Sequence, residues 1–212
     1  MIYILDTADL NAIKHCNEFY PISGVTTNPS IIAKANTEFW GLVKEIRRII
    51  GNEKMFHVQT TQDKAEKIVE EARLLKKELG GDFYIKIPIG ELKNTDIGVT
   101  MTAIFTPAQA LLAAKAGADF VAPYVNRLDN IIGNGCNVVA DIVEEFENYG
   151  IDCHVLAASF KNAQQVHECA MCGCHSVTVT YDVLKSLVSH PMTDNAIEGF
   201  KNDWKGVYAD KT

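Results

Sequence analysis

One basic side chain, Lys86, stands inside Phe83-Tyr84-Ile85-Lys86-Ile87-Pro88-Ile89, a run otherwise composed like a strand buried on both faces. Taking an ammonium out of water without a partner is costly, so such a place favours the neutral amine. That form attacks a carbonyl carbon to give a Schiff base. The competing reading is a strand-end lysine whose head reaches water or a carboxylate.

Polar residues at comparable places decide between the two. Asp6 ends the first β-rich segment, Thr26 and Asn28 the second, and Gln59 the third. Thr102 lies on the fifth, Tyr124 and Arg127 follow the sixth, and Ser159 and Lys161 follow the seventh. Each has a structural alternative. Asp6 or Thr7 could cap a helix starting near Asp9, Asn28-Pro29 has the form of a cap followed by proline, and Gln59 or Thr102 could satisfy backbone groups. Their recurrence at the same edge of successive strands favours one shared site.

The chemistry assigns roles. Lys86 attacks a ketone, and the iminium becomes the electron sink for breaking a carbon–carbon bond. No metal is required, because the iminium replaces a Lewis acid. Asp6 or Tyr124 takes the hydroxyl proton, directly or through a water held by Gln59 and Thr102. Thr26 and Asn28 face substrate hydroxyls. Arg127, Ser159 and Lys161 form an anion site suited to a sugar phosphate. Competing classes are a barrel that binds such ligands without catalysis and a metal-binding protein.

The elements that must position these residues alternate along the chain. Strands are expected over 2–5, 24–26, 55–59, 83–87, 99–104, 120–124, 154–158 and 176–180, with amphipathic helices such as 63–79 and 107–116 between them. Ala116-Gly117-Ala118-Asp119-Phe120 and Met171-Cys172-Gly173-Cys174-His175-Ser176 share one helix–glycine–strand return, as parallel sheets require. Eight strands in this span give a single-domain (β/α)8 barrel of the TIM type covering 1–212. A doubly wound sheet is the alternative, weakened by the lack of a glycine-rich phosphate fingerprint. The tail, 194–212, adds a helix over 194–207 with Ile197, Phe200, Trp204 and Val207 on one stripe, placed either on its own barrel or on a neighbouring subunit.

The net charge of −7 argues against nucleic acid as partner. No apolar run has the length of a membrane span, and Met1-Ile2-Tyr3-Ile4-Leu5-Asp6 is unlike a signal peptide, so a cytoplasmic enzyme is expected. The six cysteines are then reduced thiols. Cys169, Cys172 and Cys174, flanked by His167 and His175, invite a metal reading, but no second ligand pair accompanies them and the expectation is buried thiols without metal or cofactor.

Six stretches resemble the small transaldolase family, and within it the fructose-6-phosphate aldolases. They are Leu5-Asp6-Thr7-Ala8-Asp9, Gly24-Val25-Thr26-Thr27-Asn28-Pro29-Ser30-Ile31-Ile32, Ile85-Lys86-Ile87-Pro88, Ala118-Asp119-Phe120-Val121-Ala122-Pro123-Tyr124-Val125-Asn126-Arg127, Val155-Leu156-Ala157-Ala158-Ser159-Phe160-Lys161 and Phe200-Lys201-Asn202-Asp203-Trp204. The resemblance implies the barrel, Lys86 as Schiff-base residue, Asp6 in proton transfer, Thr26 and Asn28 around the substrate, and Arg127 and Ser159 at the phosphate. It also implies a homo-oligomer, a decamer in many members, with the C-terminal helix reaching a neighbour. Transaldolases of this type carry Glu and Phe where this chain has Gln59 and Tyr124, which is the aldolase pattern. The chain departs from that pattern at His57, Thr100, Met101 and Phe105, which leaves open a related phosphorylated or sulfonated ketose.

Overall fold

The computed structural model describes residues 1–88 and 97–208, so Ile89 of the lysine-bearing run and the last four tail residues lie outside the description. Eight strands run β1 (Ile2–Asp6), β2 (Ile22–Thr26), β3 (Met55–Gln59), β4 (Phe83–Pro88), β5 (Gly98–Ile104), β6 (Phe120–Pro123), β7 (His154–Ala157) and β8 (Ser176–Val179). They pair in chain order into a closed barrel. Parallel pairing of β1 with β8, from Ile2↔Ser176 to Leu5↔Val179, closes the ring and sets aside the doubly wound alternative.

The helices are α1 (Leu10–Phe19), α2 (Pro29–Ala35), α3 (Phe39–Ile50), α4 (Ala65–Leu79), α5 (Pro107–Lys115), α6 (Val125–Asp129), α7 (Gly135–Asn148), α8 (Ala163–Met171), α9 (Tyr181–Val188) and α10 (Pro191–Tyr208). The return after α5 and the one after α8 each pass through a left-handed glycine, Gly117 at φ 95° and Gly173 at φ 81°. A side chain there would meet the carbonyl oxygen that follows it, which explains why both returns use glycine. None of the helices among the described residues is long and apolar enough to cross a membrane.

The strands carry two kinds of face. Leu5, Val25, Phe56, Val58, Ile85, Ile87, Val99, Met101, Val121, Val155 and Val177 join the large core shared with the helices. Their alternates Ile4, Phe120 and Leu156 form a separate cluster with Ile2, Met55 and Tyr84. That second cluster fills the barrel's interior at its N-terminal end. Toward the C-terminal ends the inward positions turn polar, with Thr26, His57, Lys86, Thr100, Thr102 and Thr178 all buried.

Below the strands, Arg47 of α3 is buried and donates to three carbonyls, those of Gly51, Lys54 and Asp82, each at 2.8 Å. Its guanidinium also lies 5.5 Å from the Phe56 ring centroid. One side chain thus ties the end of α3 to the entries of β3 and β4.

His57 is fully buried in the barrel interior. Its Nδ1 is 2.8 Å from Thr100 Oγ1, and its ring stacks on Tyr84 at 4.7 Å. Burial pushes this imidazole down to about 3, and the charges of Lys86 and Arg47 add to the effect. Below the ordinary value of 6.5 the unfolded chain binds a proton here that the native barrel refuses. Stability therefore falls as pH falls, by about 3 kcal/mol near pH 4 from this residue alone. Urea denaturation at neutral pH and near pH 4 checks this, and His57→Gln should flatten the pH slope by roughly one proton.

Helix α10 begins at Pro191, earlier than the expected 194, because proline is well suited to a first helical turn. It has no buried residue. Ile197, Phe200, Trp204 and Val207 are 47, 71, 56 and 71% exposed, so the stripe does not cover its own barrel.

Candidate active site

Asp6 ends β1 beside Thr26, its register partner on β2. The Thr26 hydroxyl donates to Asp6 Oδ1 at 2.7 Å and lies 2.6 Å from Thr178 Oγ1. Asp6 is not a helix cap. Asp9 holds that position on α1, accepting from Asn11 N and Ala12 N, while Thr7 Oγ1 accepts from Asp9 N. Asn28 does cap α2, its Oδ1 accepting from Ile31 N at 3.0 Å, so its amide NH2 is the part left to meet a ligand. A cavity of about 600 Å³ opens beside Asp6 between α1 and α2, with Lys14, Ile31, Lys34 and Leu42 in its lining.

Lys86 is 2% exposed and points into the barrel. Its Nζ makes one long hydrogen bond, 3.4 Å to the carbonyl of Thr27, and is in none of the ion pairs among the described residues. Gln59 is its register partner on β3 and Thr100 its partner on β5. The Gln59 Oε1 atom is buried with no partner among the described residues, which leaves an acceptor on the register partner of the lysine.

Thr102 Oγ1 donates to the Tyr124 phenol oxygen at 3.0 Å. Tyr124 is further held by the Phe105 ring edge, centroids 5.6 Å apart, and by the Arg127 guanidinium 4.7 Å over its face. The pairing of β5 with β6 skips a residue after Thr102, and the extra residue, Ala103, has φ 58°. This bulge re-aims the strand end that carries Thr102. Ser159 is likewise left-handed, at φ 63°, and its carbonyl accepts from Asn126 N at 2.8 Å. Helix α6, which carries Arg127, and the loop that carries Ser159 are thus joined by a backbone bond. Lys161 lies on the same loop as Ser159 and is exposed.

Three inward residues were absent from the sequence-derived set. Thr178 supplies the β8 contribution, and His57 and Thr100, two of the departures noted above, pair through Nδ1 and Oγ1 across 2.8 Å, while His57 Nε2 is buried with no partner among the described residues. The signal was available in parity, since His57 and Thr100 stand two residues before Gln59 and Thr102.

Five of the six cysteines are buried and Cys172 is half-buried. Cys136 and Cys169 approach to 3.7 Å, Cys174 donates to the carbonyl of Ser176, and all six are free. Burial raises every one of them, Cys136 and Cys153 to about 12 and Cys174 to about 11. No group of three potential metal ligands converges among the described residues.

A closed parallel barrel of eight strands, with a buried lysine among polar strand ends, places the protein among the TIM barrels. The chain belongs to the transaldolase/fructose-6-phosphate aldolase family, whose profile matches residues 3–211. It is 42% identical over 213 aligned positions to a probable transaldolase of Thermoanaerobacter sp. (strain X514), covering 97% of each chain. Two solved structures share the barrel at low identity. A thiamine phosphate pyrophosphorylase from Pyrococcus furiosus is 13% identical with TM-score 0.58, covering 84% of each chain. A mandelate oxidase is 14% identical with TM-score 0.57, and the match covers 85% of this chain and 64% of that one.

Proposed function

We propose that the protein is a Schiff-base aldolase that cleaves or forms fructose 6-phosphate, or a closely related anionic ketose, releasing dihydroxyacetone and an aldehyde. The observation that carries this reading is Lys86, a buried amine with no carboxylate partner among the described residues, facing the barrel mouth. The amine adds to the ketose carbonyl and water leaves, giving the iminium. The hydroxyl two carbons from the iminium carbon loses its proton as the bond between the carbons breaks, and the electron pair is held as an enamine. Asp6 suits the base, because its carboxylate already accepts the Thr26 hydroxyl. Tyr124 suits the acid, because its oxygen accepts from Thr102 and leaves its own O–H to donate to the enamine carbon. Water then hydrolyses the iminium and frees Lys86.

Arg127, Ser159 and Lys161 serve the anionic end of the sugar in this reading, and Asn28 and Gln59 its hydroxyls or a water. The exposed stripe of α10 supports a homo-oligomer, with the decamer of the family resemblance as the expected size. The mass in solution tests that.

The second reading is a transaldolase that passes the three-carbon unit to another sugar phosphate, favoured by the name of the relative from Thermoanaerobacter. Borohydride trapping with fructose 6-phosphate, read by mass spectrometry, should leave an adduct on Lys86. Free dihydroxyacetone without erythrose 4-phosphate marks the aldolase, and turnover only with that acceptor marks the transferase. Tyr124→Phe should lower dihydroxyacetone release by about 10- to 100-fold, while transfer falls far less. Equal losses in both assays would remove Tyr124 from the protonation step.

A further inference from the structure

The mouth of the barrel over β6 and β7 is built from α6, which carries Arg127, and the loop after β7, which carries Ser159 and Lys161. Their backbones meet where Val125 N donates to Ala158 O at 2.9 Å and Asn126 N to Ser159 O at 2.8 Å. Across the same seam stands Gln165, in the first turn of α8 and 8% exposed.

Part of what Gln165 does is helix capping. Its N–H donates to Asn162 Oδ1 at 3.0 Å, and its Oε1 accepts from Lys161 N at 2.8 Å. Helix α5 starts the same way, with Gln109 N donating to Thr106 Oγ1 and Phe105 N to Gln109 Oε1. Reciprocal pairs of this kind settle two unpaired donors at a helix start. Gln165 goes further than Gln109. Its Nε2 crosses to α6, donating to Asp129 Oδ2 at 2.6 Å and to Asn126 Oδ1 at 3.4 Å. The other oxygen of Asp129 accepts from Gly135 N at 2.8 Å.

Both carboxylate oxygens of Asp129 are thereby engaged two residues from Arg127. Arg127 is in no ion pair among the described residues, and its guanidinium lies over Tyr124 instead. A guanidinium already matched to a carboxylate would be a poor receptor for a second anion.

We propose that Gln165 is a positioning residue for the anion subsite, clamping α6 to the loop after β7 and holding the Asp129 carboxylate away from Arg127. The inference rests on the reading of Arg127, Ser159 and Lys161 as that subsite. Gln165 touches no substrate; it acts through Asp129, Asn126 and Lys161.

The test is the ratio of kcat/KM for glyceraldehyde 3-phosphate over glyceraldehyde, each with dihydroxyacetone as donor. Gln165→Glu keeps the acceptor for Lys161 N and loses the donor to Asp129. It should lower the ratio about tenfold, with the loss in KM for the phosphorylated aldehyde and little of it in kcat. Combining Asp129→Asn with Gln165→Glu lets the bond run in the opposite direction, and should restore the ratio to within about threefold. Gln165→Met, which removes every side-chain bond at similar volume, should match Gln165→Glu and serves if that variant fails to fold. A ratio unchanged in Gln165→Glu or Gln165→Met, or not restored in the double variant, would overturn the inference. Arg127→Met separates it from the reading beneath it. If Arg127→Met leaves the ratio unchanged, the subsite is elsewhere; if it lowers the ratio and the Gln165 variants do not, only the role of Gln165 falls.

Discussion

Lys86→Met is expected to lower kcat by about 10⁵-fold while the barrel stays folded. The magnitude follows from the place of the amine in the reaction. On the proposed Schiff-base reading, without it no iminium forms, no electron sink exists for the departing carbon, and Asp6, Tyr124 and Thr102 have nothing to act on. Stability should move the other way or not at all. The amine is 2% exposed and, among the described residues, makes a single 3.4 Å bond to the Thr27 carbonyl, so these contacts give the fold little. Methionine has similar length and no charge to desolvate, and a change of about 1 kcal/mol in favour of the native state is expected. The checks are turnover, the borohydride adduct and the midpoint of urea unfolding, measured on one preparation. Turnover within tenfold of the parent protein would end the Schiff-base reading.

The largest expected loss of stability lies at the other end of the barrel, at Arg47. Its two terminal nitrogens hold three carbonyls at 2.8 Å in a place where 6% of the residue meets solvent. Burial pulls the guanidinium below its ordinary value, and the carboxylate of Asp82 counters part of that, so the group is held by its bonds and not by hydration. Arg47→Ala strands all three acceptors and opens a gap against Phe56. A loss of about 4 kcal/mol is expected, lowering the melting temperature by roughly 10 °C. Arg47→Lys should recover only part, because one ammonium cannot span three carbonyls set by separate segments. Activity at 25 °C should be nearly unchanged in Arg47→Lys, since the site is at the opposite end of the strands. A loss below about 1 kcal/mol in Arg47→Ala would show that water replaces the guanidinium.

The architecture was legible because β-rich and amphipathic segments alternate without interruption, and the two glycine returns repeat at matching places. The edges of elements were less so. The sequence pattern extends to Asp63 a helix that starts at Ala65, since α4 begins without a side-chain cap and its polar approach reads like a first turn. The candidate site was legible wherever a polar residue interrupts an apolar strand end, as Lys86 and Thr102 do. It was hidden where chemistry depends on pairing. His57 and Thr100 are 43 positions apart, and either alone looks like an awkward core residue. Thr178 lies in Ser176-Val177-Thr178-Val179, where threonine is ordinary in a strand and gives no cue that it faces Thr26. The bulge at Ala103 leaves no trace either, since alanine carries no preference for φ 58°. Gln165 gives no cue, because glutamine near a helix start is common and its bond to Asp129 joins residues 36 positions apart.

The six free thiols have a use that follows from their burial. Only the thiolate is alkylated; burial raises each of the six, and five of them are closed off from solvent inside the native fold while Cys172 is half-buried. Iodoacetamide added to the folded protein at neutral pH therefore finds almost nothing to label, whereas an opened chain offers every cysteine at once. The mass of the alkylated protein becomes a clock. Where alkylation outpaces reclosing, the rate at which a species six labels heavier accumulates is the rate at which molecules visit the globally open state, and labelling of the half-buried Cys172 alone reports the native fold. The protein thus reports its own opening kinetics without an added dye or a mutation.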